Sequence, residues 1–393
     1  MKISILTPDL SHNCLGRAYL LAKILQRHYQ IEIIGPLLDK SIWEPVINDR
    51  SIIYKPVRNH GKFKTYLDLK DLFRSISGDI LYASKPLFTS FGMALLKKYL
   101  HKKPLVLDID DWQSGFVKEK LGSLSSSDRL RFLISSSLLF YDRHAYWNSI
   151  VGERLSNLAD EITVSNHFLQ NTFGGKVIWH ARDTDVFDPN RFNKTLLRKK
   201  YGIPMQKKII MFFGTPRPYK GIEDLISAMS LMKNADVLLV IAGVDTDAYC
   251  RQLIQMGREM LKERFIEFGI QTFEKVPEFL ALADLIVIPQ RHNLATMGQI
   301  PAKVFDAIAM AKPVIATHVS DLPEILEGCG WIVQPEDPVA LAETIQHIID
   351  NYSEAEKTAW NGRQKCIEKY SFHAMEKVLL EVFKPYDNHR STS

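Results

Sequence analysis

The chain has 393 residues, 46% hydrophobic and 24% charged, with 50 Lys+Arg against 45 Asp+Glu. These globular values exclude disordered, collagenous and low-complexity classes, and the length suits two domains better than one core. The net charge of +5 comes without a recognition motif and so disfavours nucleic acid. No apolar run approaches the roughly 18–20 residues of a spanning helix, and Cys14, Cys250, Cys329 and Cys366 lack the spacing of a zinc site or disulfide framework.

MKISILTPDL opens on a short strand with none of the apolar stretch of a signal peptide, so a cytoplasmic chain is expected. KISIL, IEIIG, SIIYK, DILYAS, PLVLDID, EITVS and KVIW follow as β-rich runs. Helical patterns lie between most of them, for example Gly16 to His28 with Leu20, Leu21, Ile24 and Leu25 on one face. Strands apolar throughout are buried on both faces, as in a parallel sheet covered by helices. Residues 1–190 are therefore expected to form a doubly wound α/β domain. A polar, proline-bearing stretch near 181–206 breaks the rhythm, and IIMFFG, DVLLVIAG, RFIEFG, DLIVIP, PVIAT and GWIVQ then restart it over 191–371. The expected architecture is α/β: two facing Rossmann-like domains with a cleft between, and ligands outside the carboxyl ends of the strands.

The charge surplus lies in the first half. Residues 1–190 hold 25 Lys+Arg and 20 Asp+Glu, whereas residues 191–393 hold 25 of each. Lys55, Arg58, Lys62 and Lys64 surround His60, and Lys97, Lys98, Lys102 and Lys103 surround His101. The stretch Leu130 to Trp147 adds Leu133, Leu138, Phe140 and Tyr141 among few charges. Such features either form a solvated face and a core helix or bring the first domain into peripheral contact with the inner face of a membrane.

Two passages carry chemistry. In FFGTPRPYKGIEDLISAM an apolar strand ends at Gly214, and Arg217 and Lys220 sit in the strand-to-helix turn, an arrangement suited to a diphosphate. In HNLATMGQIPAKVFDAIAM, Met297 and Gly298 form an unhindered loop and Pro301 suits a first helical position. The amides of Ala302, Lys303 and Val304 are expected to point outward there, with the Lys303 charge beside them. Asp306 lies in the first turns, placed to accept hydroxyl hydrogen bonds or to serve as an ordinary N-terminal helix charge.

Together the passages resemble the retaining GT-B glycosyltransferases of family 4 (glycosyl transferases group 1). VLLVIAG, the EFGI turn, VPEFLALADLIVIP and YSFHAMEKVLLEVF lie where that family has counterparts, and HARDTDVFDP looks like its NGVDTxxFxP segment. The resemblance implies a nucleotide-sugar donor on the second domain and an acceptor (sugar, lipid-linked or small molecule) on the first. A terminal helix at about 372–393 then packs back on the first domain. Arg217 and Lys220 match the residues that neutralise the diphosphate, and Lys303 with the loop amides contacts the donor. Asp306 matches the second glutamate of E-x7-E, which holds ribose hydroxyls; the first falls at Gly298. Gly269 and Ile270 match the segment bordering the base. Gly16 matches the glycine of the first loop, and Asp110, in LDIDDW, stands where a histidine usually faces the donor sugar.

LDID also contains D-x-D, the metal signature of the GT-A glycosyltransferases. The cations at the strand-to-helix turn supply the same neutralisation, so no metal and no other cofactor are expected. A nucleotide-sugar epimerase of the same fold and a non-catalytic glycan-binding scaffold are the alternatives. No G-x-G-x-x-G follows a strand, which disfavours a dehydrogenase.

Overall fold

Runs of Ile, Val and Leu bounded by turn residues become strands, and thirteen of them arrange into two parallel sheets in the computed structural model. The structure describes residues 1–58, 65–138 and 145–387. His60, Lys62 and Lys64 of the first basic cluster lie outside the described residues, as do Phe140 and Tyr141.

One compact unit comprises Met1–His180, Met297–Gln299 and Met375–Ser393; the other comprises Ala181–Thr296 and Ile300–Ala374. The chain passes from the first to the second at His180–Ala181, ten residues ahead of the expected position 190.

The first unit holds β1 (Lys2–Leu6), β2 (Gln30–Leu37), β3 (Ile53–Arg58), β4 (Ile80–Ser84), β5 (Leu105–Ile109), β6 (Glu161–Val164) and β7 (Lys176–Val177). Their order is β3-β2-β1-β4-β5-β6-β7, all parallel, with Leu6 opposite Ala83 and Ser84 opposite Asp108. β1, β4 and β5 carry fully buried Ile3, Ile5, Leu81, Leu107 and Ile109, as a sheet covered on both faces requires. The helix Phe372–Asp387 joins this unit from Met375 onward. Its Phe383 meets Tyr82 edge-on at 5.4 Å, and its Glu376 accepts from Arg27 at 3.1 Å.

The second unit holds β8 (Lys208–Phe213), β9 (Val237–Val244), β10 (Phe265–Gly269), β11 (Leu285–Ile288), β12 (Val314–Thr317) and β13 (Trp331–Val333). Their order is β10-β9-β8-β11-β12-β13. Ile210, Phe212, Leu239, Ile241, Val287 and Ile315 anchor its core against the helices Ile222–Leu231 and Pro338–Asp350.

In each sheet the connections wind one way on one side of a strand pair and the other way beyond it. The switch falls between β1 and β4 in the first sheet and between β8 and β11 in the second. Loops leaving the carboxyl ends of such a pair diverge and open a crevice, the place where ligands bind in doubly wound sheets. The two switch points therefore fix where to look.

Candidate functional site

In the second unit, β8 ends at Gly214, whose φ is +117°. A Cβ there would lie 2.5 Å from Lys303 Nζ and 2.6 Å from its Cε, so only glycine leaves room for that ammonium. Gly221, φ +63°, brings the same loop so close to the end of β11 that a Cβ would meet the Pro289 oxygen at 2.0 Å. The turn thus carries Lys220 to the switch point, where its Nζ donates to the Thr215 carbonyl at 2.6 Å. Burial pushes Lys220 well below its ordinary pKa, and the charges of Lys303 and Arg217 push it further. Burial also brings Lys303 down to about 8, against a counter-pull from Asp306. Lys303 thus adds to the burial that depresses Lys220, whereas Lys303 itself is lowered by burial and by Arg182; cations crowded in this way are the setting that a bound anion relieves.

Arg217 stands at the rim. Its Nη1 donates to the Pro216 carbonyl at 3.1 Å and to Asp247 at 2.8 Å. Asp247 is itself the N-cap of the helix Ala248–Leu261 and accepts from the Cys250 amide.

Asp306 has a partner that the sequence reading missed. Arg182 Nε donates to its Oδ1, and Arg182 Nη2 donates to the Ala302 carbonyl at 3.3 Å. Both residues are buried. The two departures from the family pattern, Arg where NGVDTxxFxP has Val and Asp for the second glutamate, are therefore each other's partner. The helix carrying Asp306 starts at Lys303, and Val304 N already donates to the Pro301 carbonyl at 3.0 Å. This corrects the expectation of three outward amides: a tight first turn uses the third internally. Gly269 closes β10 at the sheet edge, and the neighbouring Ile270 is exposed.

Met297 and Gly298 belong to the first unit with Gln299. A Cβ on Gly298 would fall 2.4 Å from the Trp112 Cβ, and Gln299 Nε2 donates to Asp111 at 2.9 Å. Met297, Gly298 and Gln299 thus pack beside the acidic end of β5.

That end carries Asp110, which is buried. Burial pushes its carboxyl up to about 6, Asp111 and Asp108 add to the rise, and Lys85 opposes it. Lys85 leaves the carboxyl end of β4 in a left-handed conformation, φ +71°, and is 5% exposed. Its Nζ donates to Asp110 Oδ1 at 2.6 Å and to Asp111, and its amide donates to the Asp108 carbonyl at 2.8 Å. A non-glycine residue held in that region costs on the order of 1–3 kcal/mol and persists only where its surroundings dictate it. Lys85 was also missed; its one sequence signal is a lysine ending a buried strand just before Pro86.

Asp108, the first acid of the D-x-D, faces a different partner. Arg17 Nε and Nη2 donate to its two oxygens at 2.9 and 2.8 Å, and Thr163 donates at 2.8 Å. Gly16 sits in the first turn of the helix Leu15–Leu25. Its amide donates to the Asn13 carbonyl at 3.0 Å, and a Cβ would stand 3.3 Å from the Trp43 ring. The glycine there admits an indole.

Residues 207–351 match the family model described as "Glycosyl transferases group 1". An uncharacterised glycosyltransferase of Methanocaldococcus jannaschii is 24% identical, covering 79% of this chain and 86% of its own. The lipopolysaccharide core biosynthesis mannosyltransferase LpsB of Rhizobium meliloti is 23% identical, covering 83% and 94%. Among solved structures, Anabaena HepE with UDP and glucose superposes with a TM-score of 0.75 at 19% identity, covering 98% of this chain and 99% of that one. WaaG, a glycosyltransferase of lipopolysaccharide biosynthesis, superposes with a TM-score of 0.67 at 12% identity, covering 97% and 99%.

Proposed function

Because the chain is a glycosyltransferase of the GT-B fold, we propose that it moves a sugar from a nucleoside diphosphate donor bound by its second unit to an acceptor bound by its first, with retention and without a metal. One observation carries the donor assignment: Lys220 and Lys303 converge at the β8/β11 switch point, with the Lys303 ammonium seated against Gly214 and its charge adding to the burial that depresses Lys220. HepE is solved with UDP and UDP-glucose, which makes a uridine nucleotide the first donor to try.

The chemistry needs charge neutralised on the leaving diphosphate. Lys220 and Lys303 do this from a partly dry site, and Arg217 adds a third cation by exchanging Asp247 for a phosphate oxygen. A phosphate oxygen of the donor then takes the acceptor proton on the face it leaves, so the anomeric configuration is kept. Asp110, orientated by Lys85, is placed to hold a hydroxyl or to stabilise positive charge on the sugar. Metal independence draws support from Asp108, whose two oxygens already accept from Arg17 and Thr163, with the Arg17 charge beside them opposing a cation.

A thermal-shift screen against UDP-, GDP-, ADP- and TDP-sugars tests the donor site, since a bound donor stabilises by mass action. The expected result is a shift with one nucleotide series that Lys303→Ala abolishes. NMR of the product with the matching donor is expected to show the donor's own anomeric configuration. An inverted product rejects the mechanism, and donor epimerised without any acceptor assigns the epimerase instead.

No helix among the described residues is long and apolar enough to cross a membrane. We propose a cytoplasmic enzyme that meets the membrane's inner face through its first unit. The helix Ser126–Leu138 supports this, since it exposes Leu130 and Ile134 beside Arg131, which is largely exposed. The second basic cluster contributes less than its charge count: Lys97 lies over the Phe73 ring, Lys98 bonds Asp160 at 2.6 Å, and Lys103 bonds the Gly78 carbonyl. Sedimentation with anionic liposomes is expected to be salt-sensitive and lost in Leu130→Ser/Ile134→Ser; no pelleting at low salt refutes the contact.

A further inference from the structure

The loop leaving β1 at the switch point of the first sheet holds an Asp–His pair. Asp9 is fully buried, and its Oδ2 lies 2.7 Å from His12 Nδ1, while its Oδ1 accepts from the Ser11 amide at 2.8 Å. The His12 side chain is 42% exposed. Its Nε2 has no partner among the described residues. The loop is built rather than loose: Leu10 N donates to the Pro36 carbonyl, Trp43 N to the Leu10 carbonyl, and Thr89 Oγ1 to the Pro8 carbonyl at 3.1 Å.

A carboxylate that accepts from one ring nitrogen fixes the proton there and leaves the other nitrogen as a lone pair. In the tautomer that this contact selects, the Asp9–His12 pair presents Nε2 as a hydrogen-bond acceptor from a rigid support. Its surroundings select what fits. The carboxyl edge of this sheet carries Asp9 beside β1 and, beyond β5, Asp110 and Asp111 paired with Lys85, so it presents no excess of positive charge for a phosphate. Hydroxyl groups, which donate hydrogen bonds without bringing charge, suit it. β1 and β4 are adjacent, and neighbouring strands lie about 4.8 Å apart. Through the Thr89 bond the His12 loop also rests on the segment following Lys85, the residue that holds Asp110.

We propose that the Asp9–His12 pair is a hydroxyl-binding subsite for a polyhydroxylated acceptor, with His12 Nε2 accepting the hydrogen of a sugar hydroxyl. This rests on the glycosyltransferase reading for its purpose but not for its detection. His12 binds and positions; the reacting proton still leaves on the donor phosphate.

The test is long-range 15N NMR of the full chain, with the His12 resonances assigned by their loss in His12→Gln. Methyl α-D-mannopyranoside, methyl β-D-glucopyranoside and methyl β-D-galactopyranoside serve as probes, and methanol is the control for a lone hydroxyl. The expected result has three parts. Free His12 carries its proton on Nδ1, at least one glycoside moves Nε2 saturably where methanol does not, and Asp9→Asn reverses the tautomer and removes the response. His12→Gln keeps the proposal testable if Asp9→Asn fails to fold, since it must abolish the thermal stabilisation given by that glycoside. A proton on Nε2 in the free protein, or an Nε2 that none of the three glycosides moves, overturns the proposal. Failure of the donor reading looks different: nucleotide sugars then leave the melting temperature unchanged while the His12 response to glycoside persists.

Discussion

Lys85 and Lys303 stand at the two switch points, yet their surroundings are opposite. Lys85 is enclosed by acids: burial works against its charge, but Asp110 and Asp111 outweigh it and hold the ammonium above its ordinary pKa. Lys303 has one acid within reach, Asp306, and that carboxylate is shared with Arg182; burial, with Arg182 adding to it, brings the ammonium down to about 8. The same topology thus frames a crevice with its charges paired in the first unit and one with cations in excess in the second. Paired charges hold a structure in place. Unpaired ones of like sign weaken it and become favourable only when a ligand of opposite sign arrives.

The largest effect that would break this comparison is catalytic. Lys220→Ala and Lys303→Ala are each expected to lower transfer about a hundredfold, since removing one fixed donor to a developing anion costs on the order of 3 kcal/mol. Steady-state rates with the donor found by the thermal screen check this. Near-normal turnover in both variants would mean that the cation excess serves something other than the diphosphate.

On the paired side the expected loss is in stability. Lys85→Met leaves Asp110 and Asp111 facing each other where both are largely buried. Removing one partner of a buried ion pair typically costs about 3–5 kcal/mol. Denaturant unfolding is expected to show a loss near the low end, because Asp110 can take up a proton instead. A change below about 0.5 kcal/mol, the size of an ordinary surface substitution, would remove the distinction between the two crevices.

The sheets, and the loops that leave their strands at the switch points, were legible because they rest on local patterns. Seven and six apolar runs became seven and six strands, and GTPRPYKG announced itself by two glycines and two cations at a strand end. Partnerships were not legible, since they depend on residues far apart in the chain. Nothing in LDIDD says that Asp108 meets Arg17, 91 positions away, while Asp110 meets Lys85, 25 positions away. The Arg182–Asp306 pair spans 124 positions, and only folding shows that two separate departures from a family pattern meet. The neighbour of Gly16 was hidden for a related reason: nothing in the sequence around this loop-to-helix junction says that Trp43 packs against it.

The smallest effect sharpens the comparison most, because it reverses the sign. If Lys303 is strained by its surroundings, then Lys303→Met should bind donor poorly and yet unfold at a higher denaturant concentration near neutral pH. The sign follows from proton linkage. The folded protein releases the Lys303 proton at about 8, whereas the unfolded chain keeps it to its ordinary 10.5, so between those values the unfolded state binds more protons. Stability of the natural chain therefore rises with pH across that window, and the penalty is fully present below it. Lys303→Met lacks the titrating group, so its advantage should be greatest at about pH 7 and shrink towards about pH 10. Lys85→Met supplies the contrast: its folded-state ammonium is held above the ordinary value, so its loss cannot stabilise the protein at either pH. Unfolding midpoints of the three proteins at the two pH values decide the matter. A Lys303→Met variant less stable than the natural chain near neutrality would show that the contacts of this lysine, its end seated at Gly214 and its ammonium over the Phe212 ring, contribute more than its charge costs.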